Sequence, residues 1–218
     1  MNQLERNKSI LRKYLPERSV DIIAEWIYKY NFKLKVKRSR STKIGDYMPP
    51  HDGKNHTVTV NHDLNKYAFL ITLVHEIAHL ATWERYKGRV NPHGKEWKLE
   101  YSRLLNYFLQ NDKLLNEEEK LFPLEISTAL QKHILNPSAA STSDLHLSRV
   151  LKKFDSDPET LQLERIAAGS TFRIAHSKTT LSEEKYIKGE KRRTRFRCIQ
   201  VQSKREYLIH ALCNVKLV

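Results

Sequence analysis

"LITLVHEIAHLATW", residues 70–83, is apolar enough to be buried as a helix, yet His75, Glu76 and His79 stand in the middle of it. A lone carboxylate in such surroundings is costly, or it takes up a proton. The spacing supplies a reason for placing it there. His75 and His79 are four apart, so both imidazoles leave one face of a helix. Two nitrogens so placed suit a zinc ion at about 2.0–2.1 Å from each. Glu76, one position on, is turned away from direct ligation but can reach a water held by the metal and take its proton. With 10 His and 17 Glu in 218 residues, random placement gives only about 0.03 His-Glu-x-x-His runs per chain. The trio is therefore read as a metal site in preference to two satisfied core histidines.

A catalytic zinc keeps three protein ligands and one open position. His93, in "NPHGKEW", is the favoured third ligand. It lies fourteen residues beyond His79, between Pro92 and Gly94, where the backbone can turn a side chain back. The compact H-E-x-x-H-x-x-G-x-x-H spacing is absent. Glu96 and Glu100 are rivals that would give a two-histidine, one-carboxylate site. His51, His56 and His62 are read as solvated loop or strand histidines.

The trio's helix is expected from about Leu64 to Tyr86, capped by Asn61 or Asp63. Upstream, "LERNKSILRKYLP" and "ERSVDIIAEWIYKYN" have helical periodicity. "FKLKVKR" alternates, placing Phe32, Leu34 and Val36 on one face and Lys33, Lys35 and Lys37 on the other. "HTVTV" (56–60) is a second strand, after an Asp52-Gly53 turn. Downstream, Asn91-Pro92 is expected to start a helix carrying Trp97, Tyr101, Leu104, Leu105 and Phe108 at core spacing. "LFPLEISTALQKHIL" follows as a shorter helix. The small polar stretch "NPSAASTSD" (136–144) reads as a linker, and "LHLSRVLKKF" as a short helix. From Leu161 the pattern becomes that of strands, with a Lys188-Gly189 turn. The expected organisation is an α+β body at 1–135, a linker with a short helix at 136–160, and a basic β-rich region at 161–218.

The net charge of +14 is concentrated at the ends. Residues 1–43 carry 12 Lys/Arg against 4 Asp/Glu, net +8; residues 169–218 repeat those counts, while residues 44–168 have net −2. Two basic ends around a near-neutral middle favour a polyanionic partner, nucleic acid above chance. In "KGEKRRTRFR" (188–197), Arg192, Arg193 and Arg195 are the expected phosphate contacts, and Phe196 is expected in a core. No apolar run approaches a membrane span, and the first residues have no leader-like apolar stretch, so a cytoplasmic chain is expected. Cys198 and Cys213 are too few for a disulfide framework and read as thiols.

"LVHEIAHLATWERYKGRVNPHGKEW" (73–97), preceded by "IGDY" (44–47) and "HTVTVN" (56–61), resembles the active-site segment of the SprT-like family, whose eukaryotic relatives include Spartan. The resemblance covers roughly residues 20–110. It implies a zincin-like metallopeptidase fold and one zinc ion held by His75, His79 and His93, with Glu76 as the catalytic residue. It also implies a link to DNA, because family members that cleave proteins crosslinked to DNA need both functions. Many members end in a zinc ribbon with paired cysteines. This chain has no C-x-x-C, so a ribbon-like, metal-free β shape held by Phe172, Ile174, Phe196, Ile199 and Tyr207 is expected. The function expected is a zinc metalloendopeptidase acting on protein near DNA. The alternative is a DNA-binding adaptor whose zinc is mainly structural.

Overall fold

The computed structural model describes residues 3–40, 43–113, 115–138, 144–155, 161–175 and 184–218. It is mixed α and β and divides into two compact units, residues 1–155 and 156–218.

Among the described residues the first unit has six α-helices and a three-stranded sheet: α1 (Gln3–Leu11), α2 (Val20–Lys29), β1 (Lys33–Lys37), β2 (Gly45–Met48), β3 (Thr57–Asn61), α3 (Lys66–Tyr86), α4 (Lys95–Asp112), α5 (Leu124–His133) and α6 (Leu145–Lys152). The strand order is β1-β3-β2, with β1 parallel and β2 antiparallel to β3. β3 is buried throughout. Val58 and Val60 enter the core, while Thr59 and Asn61 are held from the other side by Arg40, whose guanidinium donates to both at 3.1 and 2.9 Å. β1 matches its alternation, with Phe32 buried and Leu34 and Val36 half-buried against the core.

α3 is the central helix, and thirteen of its side chains are buried. A helix apolar on nearly every side is stable only inside a core. Its N-cap is Asn65, not Asn61 or Asp63: the Asn65 side chain accepts from the Ala68 amide at 2.9 Å. Asn61 and His62 instead finish the sheet, bonding back to Ile44 and Lys37. α4 begins at Lys95, so Asn91-Pro92 opens a turn rather than the helix; the Gly94 amide closes that turn on the Asn91 carbonyl at 2.9 Å.

The expected body, ending at 135, is too short. α6 is the short helix expected beside the linker, and its Leu147, Val150 and Leu151 are part of the first unit's core. Asn65 donates to the Leu151 carbonyl at 2.9 Å and to Asp155 at 2.7 Å. Residues 139–143 of the expected linker, and 156–160, lie outside the described residues. None of the described helices is long and apolar enough to cross a membrane.

Among the described residues the second unit is an antiparallel sheet of six strands: β4 (Leu161–Gln162), β5 (Thr171–Ile174), β6 (Tyr186–Arg192), β7 (Arg195–Gln200), β8 (Glu206–His210) and β9 (Asn214–Leu217), in the order β4-β9-β5-β6-β7-β8. Its core includes Phe172, Tyr186, Phe196, Cys198 and Val215. Strict alternation along β7 turns Phe196 and Cys198 inward and Arg195, Arg197 and Ile199 outward. Ile199 therefore does not hold the core as expected. Lys188-Gly189 is not a turn either. β6 runs through it with a register shift, and a Cβ on Gly189 would lie 2.5 Å from the Arg197 carbonyl oxygen. Cys198 and Cys213 form no disulfide.

Candidate metal centre

His75 and His79 leave α3 on one face, and the turn before α4 swings His93 across to meet them. The Nε2 atom of His93 lies 2.9 Å from Nε2 of His79 and 3.3 Å from Nε2 of His75. The three ligating atoms lie within 4.8 Å of one another. Tetrahedral zinc–nitrogen bonds of about 2.0–2.1 Å put neighbouring nitrogens about 3.3 Å apart. Burial, reinforced by the neighbouring imidazoles, pushes His75 down to about 2 and His79 to about 4; burial also lowers His93. All three are thus neutral near pH 7 and present lone pairs. Three neutral rings cannot all satisfy one another through a shared edge, whereas a cation among the three nitrogens can satisfy them together. The donor set fits zinc.

His93 takes a left-handed conformation, φ 59°, which is unfavourable for a residue with a Cβ. The turn imposes it. Gly94 follows with its backbone close to Asn91, where a Cβ would come 2.9 Å from the Asn91 carbonyl oxygen. Glu96 is not in the histidine cluster. Glu100 is buried and paired with Arg85 and Arg103, each at 2.8 Å, which employs its carboxylate in joining α3 and α4. Trp97 is fully buried behind the site, with ring centroids 4.6, 5.2 and 4.7 Å from His75, His79 and His93.

Glu76 is buried beside β2. Burial, with Asp46 adding to it, raises its carboxyl to about 8, against the pull of Arg40 and Lys43. Such a group holds or releases a proton near neutrality, as a general acid–base requires. β2 comes this close because residue 45 is glycine. A Cβ there would strike the Glu76 carboxylate and sit 2.8 Å from Thr72 Cγ2. Gly45→Ala should therefore displace the carboxylate and leave the imidazoles in place. We expect zinc affinity, read by chelator competition, to be unchanged.

The side wall of the site is a residue that the sequence pattern did not mark, Tyr47. Tyr47 lies parallel to His79, with ring centroids 6.4 Å apart and planes within 2°. Its hydroxyl is 2.9 Å from His56 Nδ1, and His56 Nε2 is 2.8 Å from Glu84. Lys87 and His56 hold the Glu84 carboxyl below its usual range. The carboxylate can only accept, so Nε2 of His56 donates to it, and in the neutral ring Nδ1 accepts from Tyr47. His56 is accordingly buried and structural, not solvated; His51 and His62 are exposed, as expected. The usable signal was "IGDY" and "HTVTVN" on neighbouring strands.

Arg192, Arg193 and Arg195 belong to the second unit and are all exposed around the β6–β7 hairpin, with Arg193 in its turn at φ 49°. One Arg195 nitrogen donates to the Leu208 carbonyl at 3.1 Å, and Arg192 lies 3.8 Å from Glu190.

Residues 21–118 match the SprT-like family. The chain is 57% identical over 35 residues to proteins named Protein SprT from Cronobacter sakazakii and Erwinia tasmaniensis, covering 16% of this chain and 20% of each relative. A Protein SprT from an Enterobacter species matches at 57% over 35 residues, 16% of this chain and 21% of its own. The chain thus aligns with about a fifth of the length of these curated relatives. No solved structure matches it.

Proposed function

We propose that this chain, SprT-like over residues 21–118, is a zinc-dependent endopeptidase that hydrolyses proteins held on or near DNA. The observation that carries the reading is the convergence of the His75, His79 and His93 Nε2 atoms, with Glu76 on the same helix. Zinc, when bound, supplies Lewis acidity that polarises a carbonyl and makes water easier to deprotonate. The protein supplies the rest. Among the described residues β2 is an edge strand, so an extended peptide can pair along it. Gly45 keeps that edge open to the Glu76 carboxylate. Glu76 takes the proton of the attacking water and returns it to the leaving amine. Tyr47 and Trp97 hold the imidazole rings from the side and from behind.

Incubating the full chain with zinc and a protein crosslinked to DNA should yield peptide fragments. Chelator should stop the cleavage, and added zinc should restore it. A protein that binds zinc and DNA yet cuts no DNA-bound substrate would favour the adaptor reading.

The DNA part of the proposal rests on charge. The two basic ends each carry net +8, and the β6–β7 hairpin presents Arg192, Arg193 and Arg195 to solvent. Each phosphate contact contributes about 0.9 to the slope of log affinity against log salt on duplex DNA. Replacing all three arginines by alanine should weaken binding and flatten that slope by up to about 3. DNA binding by the parent protein that ignored salt would contradict the reading.

A further inference from the structure

His75 lies beside His93 through Nε2, and its other ring nitrogen is one of several buried polar atoms carried by neighbouring rings. His75 Nδ1, Trp97 Nε1, Tyr101 Oη and His133 Nε2 are all buried, and none has a hydrogen-bond partner among the described residues. They are neighbours. The His75 ring lies 4.6 Å from that of Trp97 and 5.3 Å from that of Tyr101, and the Tyr101 ring lies 5.8 Å from that of His133. Beyond His133 the chain of contacts is direct, with Nδ1 2.8 Å from an Asp144 carboxylate oxygen. The other Asp144 oxygen caps α6, accepting from the amides of His146 and Leu147 at 3.0 Å each. A buried polar atom left unpaired is costly, so four in one cluster call for an explanation.

The polarities are complementary. Burial opposes the charge on Asp144, but the Leu147 amide and His133 hold its carboxyl below the usual range. It therefore only accepts, which puts a proton on His133 Nδ1; in the neutral ring that leaves a lone pair on His133 Nε2. A His75 that gives its Nε2 lone pair to a metal carries its proton on Nδ1. Trp97 Nε1 only donates, and the Tyr101 hydroxyl does both. The cluster thus offers two donors, one acceptor and one group that serves either way. An enclosed water, which typically makes about three hydrogen bonds, can join them.

We propose that Tyr101, His133 and Asp144 are positioning residues for His75, linked to its Nδ1 by an enclosed water. The relay rests on the metal reading above. It fixes the tautomer and ring angle of one zinc ligand, and it ties the ligand to the cap of α6. His133 and Asp144 both lie beyond the segment that matches the family. Two of the three positioning groups therefore come from the part of the first unit that the match does not cover.

The test is zinc affinity of the full chain, measured by chelator competition. Losing such an outer partner costs a metal site about 10–100-fold. Tyr101→Phe removes only the hydroxyl. Asp144→Asn keeps an oxygen to cap α6 but withdraws the anion from His133, and so carries the test even if Tyr101→Phe folds poorly. Both should lose at least about tenfold in zinc affinity. Tyr107→Phe, a change at an exposed tyrosine of the same helix, should lose nothing. A role in packing alone would lower the melting temperature without moving the affinity. Wild-type zinc affinity in both variants would overturn the relay and leave the metal reading standing. Failure of the parent chain to bind zinc would overturn both. A high-resolution map of the zinc-loaded protein should show a water touching His75 Nδ1; its absence there would also overturn the relay.

Discussion

Glu76→Gln is expected to abolish peptide hydrolysis while the three imidazoles go on binding zinc. Glutamine has nearly the same shape but cannot accept the proton, and losing a positioned acid–base group costs about 10²–10⁴-fold. The same variant has a second signature in the metal-free protein. The Glu76 carboxyl is raised from 4.5 to about 8 in the fold. The folded state therefore holds this proton more tightly than the unfolded chain. Stability falls as pH rises between those two values and levels off above them. Glutamine removes that loss. At about pH 9 the metal-free variant should be more stable than the parent by roughly 3–5 kcal/mol, and below about pH 4 the two should coincide. The lowered His75 and His79 act oppositely, losing stability as pH falls below 6.5, but they are common to both proteins and drop out of the difference. Denaturant melts across pH, paired with a cleavage assay, check both halves. Residual cleavage at the parental rate would remove Glu76 from the mechanism.

His93→Ala should end tight zinc binding, with a loss beyond the 10–100-fold typical of an outer partner. Glu96→Ala should leave zinc binding intact, because among the described residues it is His93 that joins the other two histidines. The clearest form of the experiment is thermal. Zinc at about 100 times its dissociation constant stabilises a folded protein by about 2.7 kcal/mol. At roughly 2–4 °C per kcal/mol for a protein of this size, the parent should melt several degrees higher with zinc, and the His93 variants should not respond. His93→Gly adds a control for folding. Its left-handed backbone suits glycine better than histidine by about 1 kcal/mol, so this metal-free variant should melt no lower than the parent. A large zinc response in His93→Ala, lost in Glu96→Ala, would reassign the third ligand.

The trio was legible because its geometry is local. An i, i+4 pair shares a helix face wherever the helix sits. His93 was legible as a candidate because a Pro/Gly turn can redirect a side chain, although the sequence alone did not exclude Glu100, whose arginine partners include one from α3. What escaped were contacts made at a distance. His56 read as solvated because its partners, Tyr47 and Glu84, come from another strand and from the far end of α3. Gly45 carries no pattern in sequence; its role is the space it leaves for Glu76. In the tail, alternation placed Phe196 inward correctly. Lys188-Gly189 looked like a turn because a glycine that admits a bulge reads like one that bends a chain.

Asn65 sets a limit on how the first unit can be divided. One side chain starts α3 and, through Leu151 and Asp155, grips the far end of α6. A polypeptide cut after residue 135 would keep all three histidines of the candidate centre, yet it would uncover the apolar face that Leu147, Val150 and Leu151 close and leave the Asn65 amide ungripped. The smallest autonomously folding piece is therefore set by about twenty residues that contribute no ligand. Limited proteolysis should find its stable boundary after Asp155, not at the edge of the family-matched segment.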